Sequence, residues 1–306
     1  MDKKIIFKRM RHNIFFMTGS ILLVLLIVVI VIVPLFMDFN PVKQDLASRL
    51  LPPEWLSKGL KGHILGTDQI GRDVFMRLLL GGRISLIIAS TVVLLQSTIG
   101  VCLGMLAGYY GGKVDAIIMR ACDVVLAVPV LIFSIALIAV LGKSISVLIF
   151  VLVINNWVSS AKIVRNDMMV YRNKEFVRAS KLFGAGNAHI MIKQIFPNVT
   201  TNLIVLMSQA LGGVLLIEST LSFMNLGIQA PRPSWGNMIA VGRNYLITEP
   251  WLAIAPGVAL MLIVLCFHFL GDGLRDVLDP KENRRKLGRR TINKAKWVKA
   301  ADDAQQ

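Results

Sequence analysis

Hydrophobic residues in this chain are gathered into long runs, which shorter polar and basic segments separate. The first run, Ile14–Phe36, contains 23 residues without a charge, enough for a helix to cross the hydrocarbon core of a bilayer. It is longer than the apolar part of a signal peptide, so we expect it to be retained. Further runs of spanning length lie at residues 84–108, 116–141, 145–164, 202–224 and 251–271. The pattern predicts an all-α, polytopic membrane protein with six transmembrane helices.

The runs divide the chain into membrane-spanning and polar parts. We predict a basic tail at 1–13, a first transmembrane helix at 14–36, a polar extracytoplasmic loop at 37–83, a five-helix core at 84–271 and a second basic tail at 272–306. The core includes a long polar loop at 165–198, between the fourth and fifth spans. No segment outside the spans is large enough for a soluble domain with a core of its own.

The distribution of basic residues predicts how the chain is oriented in the membrane. Hydrophobic residues make up 55% of the sequence, the mean hydropathy is +0.65 and the net charge is +16. Such a charge also occurs in nucleic-acid-binding proteins, but most of the 34 Lys and Arg residues lie in the two tails and at 109–120 and 162–198. The positive-inside rule then places both termini and the loop 165–198 in the cytoplasm. We expect the C-terminal tail to face solvent or lipid headgroups, and no nucleic-acid partner.

The sequence contains no recognisable catalytic or metal-binding pattern. Cys102, Cys122 and Cys266 lie inside apolar runs without metal-ligand spacing, which is typical of buried thiols. Gly112-Lys113 does not belong to a phosphate-binding loop, because the required earlier glycine and the following Ser or Thr are missing. Neither a Ser-His-Asp set nor an HExxH motif occurs. We therefore predict no enzymatic activity, no bound cofactor and no metal site in this chain.

The polar loop contains a segment, Glu175–Asn198, whose pattern predicts two short helices. Apolar residues at positions 176, 179, 182 and 183 recur at helical spacing. Gly184-Ala185-Gly186 should break this first helix, a second should follow at 188–195, and Pro197 should end it. Two such helices along a membrane face would form a compact docking surface, although the pattern is also compatible with an ordinary connecting loop.

Three ionisable residues lie in or near the spans, where burying a charge in lipid is costly. We expect Asp123 and His268 near the cytoplasmic ends, in a structural ion pair or in contact with water. Glu218 is deeper and is followed by Ser219 and Ser222. Glu218 and the two serines would either line a translocation path or join helices within the bundle, and the sequence leaves both roles open.

Several longer motifs occur in a fixed order along the chain. Asp68, Arg72 and Asp73 belong to a Gly-Thr-Asp-x-x-Gly-Arg-Asp sequence at 66–73, and their side chains can pair just before the second span. The other motifs are Gly-x-Arg-x-Ser-Leu at 81–86, Gly-Tyr-Tyr-Gly-Gly followed by Asp at 108–115, Leu-Ser-Phe at 221–223, Pro-Arg-Pro-Ser-Trp-Gly at 231–236 and Gly-Asp-Gly-Leu-Arg-Asp-Val-Leu-Asp-Pro at 271–280. In order and spacing, these motifs resemble the permease subunits of the dipeptide, oligopeptide and nickel ABC importers. Among these subunits, the chain is similar to the C-type permease of the pair.

The segment Glu175–Asn198 is similar to the EAA loop of the same family, which couples the permease to its ATPase. The resemblance implies an ATPase-coupling loop formed by Glu175, Arg178, Ala179, Ser180, Gly184 and Pro197. The sequence departs from the family pattern where Arg178 replaces Glu, Ser180 replaces Ala, and Gln194 and Phe196 replace Ile and Leu.

The family resemblance also implies a fold and a set of partners. The fold is that of a type I ABC-importer permease, and the chain would form half of a path for di- or oligopeptides through the bacterial cytoplasmic membrane. Its partners would be a second homologous permease, two ATP-binding cassette subunits that hold ATP and Mg²⁺, and an extracytoplasmic substrate-binding protein. Glu218, Ser219 and Ser222 are the candidates for the path. A nickel or metal-chelate permease is the alternative within transport, and a membrane scaffold without transport is the alternative from another class.

Overall fold

The computed structural model describes residues 9–36, 44–56 and 63–278. Parts of three predicted segments lie outside the described residues, namely 1–8 of the first tail, 37–43 and 57–62 of the polar loop, and 279–306 of the second tail. In the part that is described, the regular structure is helical, and one isolated bridge joins Thr67 to Asp73. The predicted all-α fold is confirmed.

The helices differ widely in length and fall into spans and connectors. They are α1 (Ile14–Phe36), α2 (Val74–Tyr110), α3 (Gly112–Leu126), α4 (Val130–Leu141), α5 (Ile145–Tyr171), α6 (Glu175–Leu182), α7 (Asn187–Phe223), α8 (Trp235–Gly242) and α9 (Trp251–Leu278). Single 3₁₀ turns lie at Leu46–Ser48 and Arg243–Tyr245. Within the described ranges, α1, α2, α5, α7 and α9 are each long and apolar enough to cross a membrane.

The sixth predicted span, at 116–141, has a different shape from the others. It consists of α3 and α4, whose axes meet at 86°. Pro129 precedes α4, and a proline disfavours the helical conformation of the residue before it, here Val128. Among the described residues there are therefore five continuous helices that could span a membrane, and six spans if the bent pair crosses as one unit.

α2 and α5 pack against each other with their backbones in contact. Gly100, Gly104 and Gly108 are spaced one turn apart on α2 and face α5. A Cβ atom at Gly104 would lie 2.6 Å from the carbonyl oxygen of Ala161, and one at Gly108 would lie 2.6 Å from that of Arg165. The residue numbers increase along both helices in the same direction, from Gly104 beside Ala161 to Gly108 beside Arg165, so the two helices are parallel. Small residues at helix interfaces permit this close approach in membrane proteins.

The loop that contains α6 lies at one end of the bundle, which we call the loop end. The described beginning of α1 and the end of α9 meet there, where Asn13 Nδ2 donates to Asp276 Oδ2 at 3.3 Å. α7 runs back along α9, and Gln209 Nε2 donates to Asp272 Oδ1 at 2.9 Å. The N-terminus of α2 and α8 lie at the opposite end, where Trp235 Nε1 donates to the carbonyl of Leu78 at 2.9 Å.

Several helix boundaries differ from the predicted spans, and two of the differences have a local structural cause. α2 begins at Val74, so residues 74–83 of the predicted polar loop are helical, because Asp73 caps the helix by accepting from the Met76 amide at 2.8 Å. The expectation that Pro197 ends a helix is wrong, since α7 continues through it to Phe223. A π-helical turn at Ile190–Ile195 precedes the proline and shifts the hydrogen-bond register, so that Phe196 N donates to Met191 O.

We predict that Gly104→Ala destabilises the bundle, because its new methyl group overlaps the α5 backbone. Overpacking of this kind costs about 1–3 kcal/mol. Thermal unfolding of the purified chain in detergent, followed by tryptophan fluorescence, measures the effect. Gly213→Ala is the matched control, because no described atom beyond its own stretch of helix lies within 4 Å of its Cβ position, and alanine gains up to about 1 kcal/mol of helix propensity there. Equal unfolding temperatures for the two variants would contradict the packing described for α2 and α5.

Candidate functional site

α6 and the first turns of α7 form a helix-turn-helix unit at the loop end, which corresponds to the predicted segment Glu175–Asn198. Val177 is buried, whereas the other side chains of α6 are exposed or half-buried. Val177 packs in one cluster with Ile190 and Ile195 of α7 and with Met168 of α5. The predicted pair of short helices is therefore present, although the second of them is the beginning of a long span.

Gly184 forms the turn between α6 and α7. Its φ of +80° lies in the left-handed region, which glycine adopts without the steric penalty that other residues meet. The Gly184 amide donates to Lys181 O and the Ala185 amide to Ser180 O, each at 3.0 Å. Apart from Gly184 and its two chain neighbours, no described atom lies within 4 Å of the point that a Cβ atom would occupy, so backbone conformation and not space requires the glycine.

Three apolar side chains of α6 and the turn after it are exposed, although Val177 packs inwards. Leu182 is 88% exposed, Phe183 is 91% exposed and Phe176 is 43% exposed. Arg178 and Lys181 are exposed beside them. Apolar groups of this size on a polar segment, with a charged rim, are typical of a protein–protein contact. The arrangement favours the docking surface over the ordinary connecting loop.

The predicted coupling residues lie close together, with one exception. Glu175, Arg178, Ala179, Ser180 and Gly184 lie on α6 or in its turn. Pro197 is exposed but lies two turns further along, inside α7.

Three residues that the sequence analysis did not assign join this unit to the bundle. Tyr109, at the end of α2, directs its hydroxyl to Asn187 Oδ1 at 2.8 Å. Arg172 Nη1 donates to the carbonyls of Gly108 and Tyr109, each at 3.1 Å. The Gly-Tyr-Tyr-Gly-Gly motif marks Tyr109 in the sequence, but no local pattern links it to Asn187, which is 78 residues away.

Asp115, the last residue of the same motif, forms an ion pair between α3 and α5. Arg165 makes two hydrogen bonds to the carboxylate of Asp115, through Nε to Oδ1 and through Nη2 to Oδ2. A bidentate pair of this kind fixes both the distance and the relative orientation of the two side chains. Asp123 of α3 also pairs with Lys162 Nζ of α5 at 3.5 Å, which agrees with the structural ion pair expected for Asp123.

Glu218, Ser219 and Ser222 form a buried cluster near the opposite end of α7. These three residues are 0%, 4% and 1% exposed, in that order. Ser222 Oγ donates to Glu218 Oε1 at 2.7 Å and accepts from the Ile228 amide at 3.2 Å. Ser219 Oγ lies 3.4 Å from Glu218 Oε2. The cluster thus joins α7 to the connection that follows it, and burial inside this chain favours the packing role over the path role.

The motif at 66–73 forms a second polar cluster at the opposite end. Asp68 Oδ2 lies 2.7 Å from Arg72 Nε and 3.5 Å from Arg77 Nε, and all three residues are at least nine-tenths buried. His63 Nδ1 lies 2.8 Å from Asp73 Oδ2. These contacts hold the segment before α2 against the start of that helix. Across the described ranges, no group of three His, Cys, Asp or Glu side chains is arranged to hold a metal ion.

Comparison with known proteins agrees with this architecture. Residues 100–284 match the family described as binding-protein-dependent transport system inner membrane component, and residues 4–53 match the N-terminal TM domain of oligopeptide transport permease C. The chain is 36% identical over 263 residues to the dipeptide transport system permease protein DppC of Haemophilus influenzae, which covers 86% of this chain and 89% of that protein. It is 36% identical over 273 residues to the oligopeptide transport system permease protein OppC of Bacillus subtilis. This match covers 89% of this chain and 88% of that protein.

The chain belongs to the family of binding-protein-dependent inner-membrane permeases. It is a multi-pass component of a bacterial ABC transport system and not an enzyme, since the ATPase activity of such systems resides on partner subunits. Permeases of this family hold no cofactor of their own, and they work with the other subunits of an ABC complex. The family predicted from the sequence motifs is confirmed.

Proposed function

We propose that this chain forms half of the translocation path of an importer for di- or oligopeptides, together with a second homologous permease. The names of its relatives support the substrate class, because the proteins from Haemophilus influenzae and Bacillus subtilis are named as dipeptide or oligopeptide permeases. The alternative of a nickel or metal-chelate permease rests on motifs that the two groups share.

The loop end faces the cytoplasm in this proposal. The excess of Lys and Arg in the tails and in the polar loop supports this orientation. Six crossings with the bent pair counted as one also require both termini on the same side, and the described ends of α1 and α9 lie together at the loop end.

The coupling loop, residues 175–184 with the start of α7, is the surface that contacts an ATP-binding cassette subunit. The observation that carries this proposal is the exposure of Leu182 and Phe183 at the tip of a polar, basic loop. Burying both side chains in a groove of the ATPase would remove their apolar surface from water. Two ATPase subunits hold ATP and Mg²⁺, one for each permease, and an extracytoplasmic binding protein delivers the substrate to the opposite end.

ATP-driven closure of the ATPase subunits would move the coupling loop, and the helices attached to it would follow. α2 and α7 each contain 37 residues, which corresponds to about 55 Å at 1.5 Å per residue. Helices of this length would carry a displacement at the loop end across the membrane, so that the path alternates between two access states. A direct path role for Glu218, Ser219 and Ser222 stays a prediction, and their burial supports a role in holding α7 to its outer connection.

The proposed composition of the complex is tested by purifying the tagged chain from membranes in mild detergent and identifying bound proteins by mass spectrometry. We expect a second permease, two ATPase subunits and a binding protein whose ligand is a peptide. Nickel or a metal chelate as that ligand would replace the peptide proposal by its alternative. Recovery of this chain alone would favour the scaffold without transport.

The docking surface is tested by Phe183→Ser, which removes the most exposed aromatic group of the coupling loop. Because exposed aromatic residues often dominate an interface, we expect recovery of the ATPase subunits to fall by about tenfold or more. Phe36→Ser is the matched control, since Phe36 is 84% exposed at the end of α1. Equal ATPase recovery with the two variants would contradict the proposed contact.

The turn of the coupling loop is tested by Gly184→Val. A side chain at φ +80° costs roughly 1–2 kcal/mol, so α6 would shift against α7 without disturbing membrane insertion. We expect ATP hydrolysis to continue while substrate uptake in proteoliposomes falls. Gly186→Val controls for the added bulk, because Gly186 has a φ of −68° and open space at its Cβ position among the described atoms. An unchanged uptake rate in Gly184→Val would refute the role of the turn.

A further inference from the structure

The Gly-Tyr-Tyr-Gly-Gly motif at 108–112 has no role in the function proposed so far, although its residues lie directly beside the coupling loop. Tyr109 ends the part of α2 that packs on α5, and it is 7% exposed. Tyr110 follows it and is 51% exposed. The two rings meet edge-on with their centroids 5.4 Å apart. Tyr109 is therefore packed inside the bundle, whereas the adjacent Tyr110 is exposed.

The side chain of Tyr109 contacts both helices of the coupling loop. Its hydroxyl donates to Asn187 Oδ1 at 2.8 Å, at the first residue of α7. The ammonium group of Lys181, on α6, lies 5.2 Å above the centre of its ring, within the range of a cation–π interaction. A single side chain of α2 thus bridges the two halves of the loop, on either side of the turn at Gly184.

The backbone around Tyr109 is fixed to α5. Arg172 Nη1 binds the carbonyls of Gly108 and Tyr109, which are among the last carbonyls of α2 and have no partner further along the helix. Gly108 brings α2 into contact with the backbone of Arg165. The backbone of Tyr109 is therefore held by α5, while its side chain contacts the coupling loop.

We propose that Tyr109 is the positioning residue through which movement of the coupling loop passes to α2, and this inference rests on the coupling function proposed above. Apolar packing at Val177 holds α6 in place but is non-directional. The hydroxyl bond to Asn187 and the Lys181 contact have defined geometry, so they tie the orientation of α2 to that of the loop. α2 then carries the displacement to the opposite end, where Leu78 holds Trp235 at the start of α8.

Tyr109→Phe is the direct test, because it removes the hydroxyl and keeps the ring that Lys181 contacts. The variant is assembled into the complete transporter in proteoliposomes, and peptide transported per ATP hydrolysed is measured. We expect this ratio to fall by about fivefold, as for the loss of one hydrogen bond, with ATPase subunits retained and hydrolysis continuing. Tyr110→Phe, which removes the hydroxyl of the neighbouring exposed tyrosine, should match the wild type.

A double variant tests whether the bond between Tyr109 and Asn187 itself carries the effect. Asn187→Ala should lower the ratio as Tyr109→Phe does, and combining the two should cause no further loss, because both remove the same bond. An unchanged ratio in Tyr109→Phe, or additive losses in the double variant, would overturn the inference. So would loss of the ATPase subunits from Tyr109→Phe, since Tyr109 would then act in docking. Failure of the coupling function itself is distinguishable, because Phe183→Ser would then keep its ATPase subunits.

Discussion

Backbone contact between α2 and α5 determines where the functional parts of this permease lie. Glycines at 100, 104 and 108 bring the two helices together over about two turns, and such contact leaves little freedom to slide or rotate. Because the helices are parallel, the end of α2 arrives beside the end of α5, where the polar loop begins. Tyr109 and Arg172 meet for this reason. The position of the coupling loop is thus a consequence of helix packing in the membrane and not of the loop sequence alone.

A second constraint is that polar groups inside the bundle need partners, because lipid offers none. Glu218 accepts from Ser222, whose hydroxyl also accepts from the Ile228 amide in the connection after α7. Asn155 of α5 donates to Ser134 of α4 at 3.2 Å. Asp68 and its arginines satisfy one another at the opposite end. Each of these sets connects different segments of the chain, so the polar residues stabilise the bundle at points where apolar packing alone would permit several arrangements.

The sequence predicts elements well where one local rule dominates. The charge-free run predicts α1 at its observed bounds, and Gly184 marks the end of α6. The sequence predicts structural elements less well where several local rules compete. Arg77 and Arg83 make the first turns of α2 look like a loop, although Asp73 caps a helix there, and Pro197 looks like a stop although the π-turn before it accommodates the ring. The Tyr109–Asn187 bond joins residues 78 positions apart, and no periodicity in either helix encodes that contact.

The two longest helices that contact the coupling loop, α2 and α7, would not carry its movement equally. A displacement that enters α7 must pass the π-turn at Ile190–Ile195, where the regular hydrogen-bond ladder is replaced by a wider one, and such turns are frequent at functional sites. α2 is α-helical from Val74 to Tyr110 without interruption. We expect a push on the loop to bend the base of α7 more readily than it bends α2. In the proposed mechanism, the hydrogen bond from Tyr109 to Asn187 joins α7 to α2 just before the π-turn, so a displacement of the loop would reach α2 before α7 could absorb it.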